Sequence, residues 1–149
     1  MIAVGRARGA LAEVAAEYER RAAHYWTLHT VEVREEPARS LPAQQVIARE
    51  GERLSARVPA GAQLVACDER GESWTSARFA SWLAAHRDAA RDVAFVVGGA
   101  FGLAAALRER AGVRLALAPW TMPHDLARVV LAEQLYRAGT LARGEPYHK

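Results

Sequence analysis

The chain is short of cysteine, of lysine and of long apolar runs, and each shortage excludes something. Among its 149 residues Cys67 is the only cysteine, so an internal disulfide framework is excluded and a reducing compartment is the expected setting. No stretch approaches the roughly 18 consecutive apolar residues that a spanning helix needs. The opening Met1-Ile2-Ala3-Val4-Gly5-Arg6 has no basic segment followed by a long apolar one, which argues against a secretory signal and for a cytoplasmic protein. All 20 basic residues except Lys149 are arginine. Arginine carries a planar five-donor fork suited to phosphates and base edges, where lysine is a point charge. The same bias also follows from a GC-rich coding sequence, and the net charge of +3 is common among soluble enzymes. Charge alone does not assign a partner.

What is present reads as an ordinary globular domain. Hydrophobic residues make up 51% and charged residues 25%, which excludes wholesale disorder and collagen-like repeats. The length suits one domain over 1–149. Short apolar runs alternate with longer helical patterns. Strands are expected over Met1–Gly5, Leu28–Val33, Gln63–Cys67, Asp92–Val97 and Val113–Ala118, and helices over Ala10–Trp26, Pro42–Arg57, a segment capped by Thr75 or Ser76, Leu103–Arg110 and Pro123–Leu141. Asp68-Glu69-Arg70-Gly71 reads as a turn closing the third strand. Strands alternating with helices predict an α/β fold, a mostly parallel sheet with helices on both faces.

Three segments carry chemistry-bearing residues. Gly98-Gly99-Ala100-Phe101-Gly102 follows an apolar strand and precedes a helix. In parallel sheets that junction is where backbone amides meet ligands. It matches neither a dinucleotide fingerprint nor a phosphate loop, and a tight turn that needs glycine explains it equally. Leu117-Ala118-Pro119-Trp120-Thr121-Met122-Pro123-His124 is the next such junction. Trp120 and Met122 there suit an apolar wall against a flat ring, or burial in the core. His124 has Arg128 one helical turn on, on the same face, so it fits a phosphate contact, a base or a helix cap. The tail Arg143-Gly144-Glu145-Pro146-Tyr147-His148-Lys149 groups an aromatic, an imidazole and two cations, enough to stack on a base and hold a phosphate, although chain ends commonly fray. No histidine has ligand spacing with Cys67 or with acids, so no metal is expected.

In order and spacing, Phe95–Leu103, Thr121–Arg128, Ala132-Glu133-Gln134-Leu135-Tyr136-Arg137-Ala138 and Gly144–Lys149, with Glu17-Tyr18-x-x-Arg21 and Asp68–Gly71 earlier, resemble the RlmH-type large-subunit rRNA pseudouridine N3-methyltransferases of the SPOUT class. The resemblance covers nearly the whole chain. It implies a C-terminal trefoil knot, which periodicity does not reveal because knots are rare exceptions to the threading rule. It also implies a homodimer, S-adenosyl-L-methionine as cofactor, and a pseudouridine of 23S rRNA in the assembled ribosome as substrate. By position the cofactor pocket maps to Cys67, to Gly98, Gly99 and Gly102, and to Leu117, Ala118, Pro119, Trp120, Thr121 and Met122.

Four features depart from the family pattern. Cys67 stands where leucine is usual, Ala116 and Ala118 where serines are usual, and Phe101 where a polar residue is frequent; the first strand is also short. The expected chemistry is removal of the N3 proton by His148 in the tail, with Tyr147 stacking or hydrogen-bonding and Arg143 and Lys149 holding phosphates. His124 and Arg128 are candidates for substrate contact. The alternative is an RNA- or ribosome-binding module of the same fold that has lost catalysis, which would keep the tail but not bind the cofactor.

Overall fold

The computed structural model describes residues 1–37 and 39–147. Ten elements alternate in the expected order: β1 (Ile2–Val4), α1 (Gly9–Ala22), β2 (Val31–Val33), α2 (Ala43–Ser55), β3 (Gln63–Ser73), α3 (Ser76–Asp88), β4 (Val93–Val97), α4 (Ala105–Arg110), β5 (Val113–Ala116) and α5 (His124–Ala142). The strands form one sheet in the order β2-β1-β4-β3-β5, and every ladder in it is parallel.

Alternation along the strands builds two apolar faces from one sheet. Met1, Ala3, Val65, Phe95, Val97 and Leu115 point to one side and pack with Phe79 and Leu83 of α3 and Leu131, Leu135 and Ala138 of α5. Ile2, Val4, Leu64, Ala66, Ala94 and Val96 point to the other and pack with Leu54 of α2 and Leu107 of α4. With both faces covered, the central strands read as unbroken apolar runs, as parallel sheets require.

Helix ends follow local chemistry. The Thr75 hydroxyl accepts the Arg78 amide at 3.2 Å, the side-chain cap expected of threonine. Pro42 sits at the N-cap of α2 and Pro123 at that of α5. α1 ends at Ala22, earlier than its apolar spacing suggests, because the Tyr25 and Trp26 amides turn back onto the Ala22 carbonyl. The Trp26 indole then donates to the Leu135 carbonyl at 2.8 Å, which ties the end of α1 to the middle of α5.

β3 departs most from expectation. It does not end at Cys67. Its ladder with β5 runs to Cys67↔Leu115, is interrupted, and resumes at Glu72↔Leu115 and Ser73↔Ala116. Residues 68–71 therefore form an irregularity inside the strand rather than its closing turn. Gly71 is what permits the return: a Cβ there would lie 2.5 Å from the Arg114 carbonyl carbon. Among the described residues no helix is long and apolar enough to cross a membrane.

Candidate active site

All strands are parallel, so their carboxyl ends share one edge, and the strand order decides what gathers there. β4 and β5 lie on either side of β3. The loops leaving them straddle Cys67 and the bulge of β3, and a cleft of about 350 Å³ opens between them. Small-molecule sites occupy roughly 300–1,000 Å³. Cys67, Gly98, Gly99, Gly102, Leu117, Ala118, Trp120, Thr121, Met122 and His124 line it, so the structure brings together the two strand-to-helix junctions that are about twenty residues apart in the chain. Pro119 alone of the expected cofactor residues does not line it.

The glycines are constrained by close approach. A Cβ on Gly98 would sit 2.6 Å from the Gly102 carbonyl carbon, and Gly102 itself has φ +79°. The Gly102 amide donates to the Gly99 carbonyl at 3.0 Å, which closes the loop over the end of β4. A Cβ on Gly99 would lie 2.5 Å from Glu50 Oε2 and 3.0 Å from Val4 Cγ1. The loop thus presents bare backbone to the cleft and rests on α2 and β1 behind it.

Burial pushes the Cys67 thiol up to about 12, so it is a neutral apolar wall rather than a nucleophile. Trp120 and Met122 separate. Met122 is half-buried and packs against the core, while Trp120 is 69% exposed. Phe101, on the facing loop, is 41% exposed. Asp68, Glu69, Arg70 and Arg108 line the cleft as well, and none of them is apparent as a site residue from local composition. Asp68 Oδ1 accepts the Arg70 amide at 2.9 Å, and its other oxygen stands 3.7 Å from Arg108 Nε. The signal for these was placement: the polar break after β3, and a helix that starts just after the glycine loop.

His124 opens α5 at the cleft, with Nε2 3.0 Å from Asp125 Oδ1 and packed against Gly5 at the end of β1. Arg128 does not join it. Arg128 is buried, with Nε 2.7 Å from Glu19 Oε1 and Nη1 2.5 Å from Glu32 Oε1. Two carboxylates from α1 and β2 satisfy its guanidinium and hold it away from the cleft.

The described part of the tail, residues 143–147, lies elsewhere in the same chain. α5 is 19 residues long, which at ~1.5 Å per residue puts its end about 28 Å from His124. Arg143 donates to the His24 carbonyl at 3.1 Å and lies over the Tyr25 ring at 4.7 Å. Tyr147 folds back onto α5, its ring 4.6 Å from Tyr136 and its hydroxyl donating to Glu133 at 3.2 Å. Burial and the neighbouring Tyr18 and Glu133 push the Tyr147 phenol up to about 12. His148 and Lys149 lie outside the described residues. Among the described residues no group of three or more His, Cys, Asp or Glu could hold a metal.

Residues 1–148 match a family model described as "Predicted SPOUT methyltransferase". Among curated proteins, the chain is 60% identical over 150 residues to the ribosomal RNA large subunit methyltransferase H of Gemmatimonas aurantiaca, covering 100% of this chain and 97% of that protein. It is 48% identical over 110 residues to the proteins of the same name from Burkholderia mallei and Burkholderia pseudomallei, covering 74% of this chain and 70% of each of theirs.

Proposed function

The chain belongs to the SPOUT methyltransferase family, and from that premise we propose that it methylates N3 of a pseudouridine in 23S rRNA, using S-adenosyl-L-methionine, on the assembled ribosome in the cytoplasm. The observation that carries this reading is the cleft at the ends of β3, β4 and β5, where a loop with no room for a side chain at Gly98 or Gly99 faces Cys67, Leu117 and Met122. The lining suits that cofactor. The exposed backbone of the Gly98–Gly102 loop can read a flat ring edge-on, and the neutral Cys67 thiol and the Leu117 and Met122 side chains supply apolar contact. Backbone recognition makes Ala116 and Ala118 tolerable where serines are usual. An RNA-binding relic would have no need to keep this cleft. The C-terminal part would carry the trefoil knot that the family implies.

When bound, the cofactor supplies an activated methyl group, so the chain need not generate an electrophile. Its own task is the acceptor, because N3 of pseudouridine is an imide nitrogen bearing a proton. His148 would take that proton as general base, which frees the N3 lone pair for the methyl group. Tyr147, whose phenol stays protonated to about 12, stacks or donates a hydrogen bond rather than acting as a base. Arg143 and Lys149 hold phosphates, and His124 contacts the substrate at the mouth. Arg128 is committed to Glu19 and Glu32 and serves to hold α5 against α1 and β2.

Tyr147 reaches back only to Glu133, nine residues and about 13 Å of helix rise beyond His124. A tail docked there does not serve its own cleft. We therefore place the enzyme as a homodimer in which the tail of one copy completes the cleft of the other. The test is transfer of labelled methyl from S-adenosylmethionine to assembled ribosomes lacking this modification, with naked rRNA alongside. Transfer to one pseudouridine in ribosomes and little to naked rRNA is expected. No transfer and no cofactor binding would overturn the reading in favour of a binding module.

A further inference from the structure

Two aromatic side chains at the cleft are left uncovered, on opposite loops. Trp120, after β5, is 69% exposed and Phe101, after β4, is 41% exposed, yet both line the same cleft. Exposed tryptophan is uncommon in a folded domain, and a pair of large rings at one opening is a feature with a use. Met122, two residues from Trp120, turns into the core instead. The expected place of Trp120 is the cofactor wall, but with the residue 69% exposed only its backbone is left to that role, and the indole faces outward toward whatever enters.

The same rim carries two guanidiniums. Arg70 is exposed, and among the described residues no carboxylate oxygen lies within 4.0 Å of its side-chain nitrogens. Arg108 meets Asp68 only at 3.7 Å. Asp68 and Glu69 stand on this rim too, so the guanidiniums are local contacts among carboxylates and not a basic patch. Rings with sequence-tolerant π-faces beside loosely held arginines are the combination that binds unpaired nucleotides, bases stacking on the rings and phosphates meeting the forks.

We propose that Trp120 and Phe101 are substrate-contact residues that stack on unpaired nucleobases next to the target nucleotide, with Arg70 and Arg108 meeting the flanking phosphates. This rests on the rRNA-methylation reading. A base taken out of its stack for chemistry leaves its neighbours without a stacking partner. The indole and the phenyl ring replace that partner at the mouth, which lowers the cost of extrusion and fixes the register of the strand. The proposal concerns binding shared by ground state and transition state, so it acts on KM more than on kcat.

Trp120→Ala and Phe101→Ala are compared with wild type in methyl transfer to ribosomes, with S-adenosylmethionine affinity by calorimetry and self-association by sedimentation. Each variant is expected to raise the KM for ribosomes about five- to tenfold, with cofactor affinity and self-association unchanged; Trp120→Phe recovers most of the loss. In parallel, a short single-stranded oligoribonucleotide should quench tryptophan emission in wild type and lose that quenching in Trp120→Phe. An unchanged KM overturns the proposal. A matching loss of cofactor affinity also overturns it, by making these rings part of the cofactor wall. Weakened self-association does so too, by making the partner copy their cover. Failure of the methylation reading is separable: wild type would then transfer nothing to ribosomes, while the oligonucleotide would still report on Trp120.

Discussion

Buried carboxylates are rare unless paired, and Glu50 is 2% exposed with only one oxygen served. Its Oε1 accepts the Glu36 amide at 2.9 Å; its Oε2 has no hydrogen-bond partner among the described residues and abuts Gly99. The neighbouring arginines are spent on Glu36, which Arg53 and Arg49 both reach. Burial therefore raises the Glu50 pKa, and nearby Glu35 adds to the shift. A carboxyl whose folded pKa lies above its unfolded value near 4.5 binds more protons folded than unfolded. Its contribution is full below that unfolded value and is lost as pH rises through the folded one. Glu50→Gln keeps the shape and the acceptor for Glu36 while removing the titration. Thermal unfolding should then show wild type losing more stability than Glu50→Gln as pH rises above about 4.5. Identical pH slopes for the two would mean that Glu50 folds as an ordinary carboxylate.

At the scale of elements, the bulge in β3 joins the fold to the site. The interruption between Cys67 and Glu72 throws Asp68, Glu69 and Arg70 into the cleft lining, and the strand can rejoin β5 only because residue 71 has no side chain. Gly71→Ala would place a carbon 2.5 Å from the Arg114 carbonyl, where backbone cannot step aside as a side chain end can. A loss of about 1–3 kcal/mol in denaturant unfolding is expected from this overpacking, together with weaker S-adenosylmethionine binding in calorimetry. Wild-type stability would show that β5 has room to move. Sequence pattern made the strand, helix and glycine-loop order legible because alternation and apolar runs are local signals. The return of β3 was not, since Glu72 and Ser73 are polar and each pairs with a partner 43 positions away. Arg128 illustrates the same limit. Its one-turn spacing from His124 is readable, but Glu19 and Glu32, 109 and 96 positions away, claim it by tertiary contact. The cleft residues drawn from strand-to-helix junctions were legible for a general reason: parallel strands collect those junctions on one edge.

For the molecule as a whole, part of the arginine-rich composition is engaged in ion pairs. Arg49, Arg53, Arg78, Arg87, Arg128 and Arg137 all meet carboxylates, and the proposed reading puts the RNA-facing guanidiniums at the mouth of the cleft and in the tail. Those two places are separated in one chain by the length of α5. The described part of the tail rests on Tyr25 and Tyr136. Whether a symmetric pair of chains brings each tail to the other's cleft can be read from activity. His148→Ala removes the proposed base and Gly98→Ala obstructs the glycine loop, where a Cβ would lie 2.6 Å from Gly102; each alone should be inactive while folded by circular dichroism. Co-expressed and purified together through two different tags, half the dimers are mixed before selection. In a mixed dimer, the His148→Ala chain offers an intact cleft and the Gly98→Ala chain an intact tail. If tails serve the partner, one of the two sites works, and the unselected mixture regains about a quarter of wild-type methyl transfer, the selected mixed dimer about half. If each tail serves its own cleft, every site in every combination holds one defect and no activity returns. Recovery therefore places the tail in the partner's site, and its absence, with both proteins folded and dimeric, returns the tail to its own chain and requires α5's end to undock before catalysis.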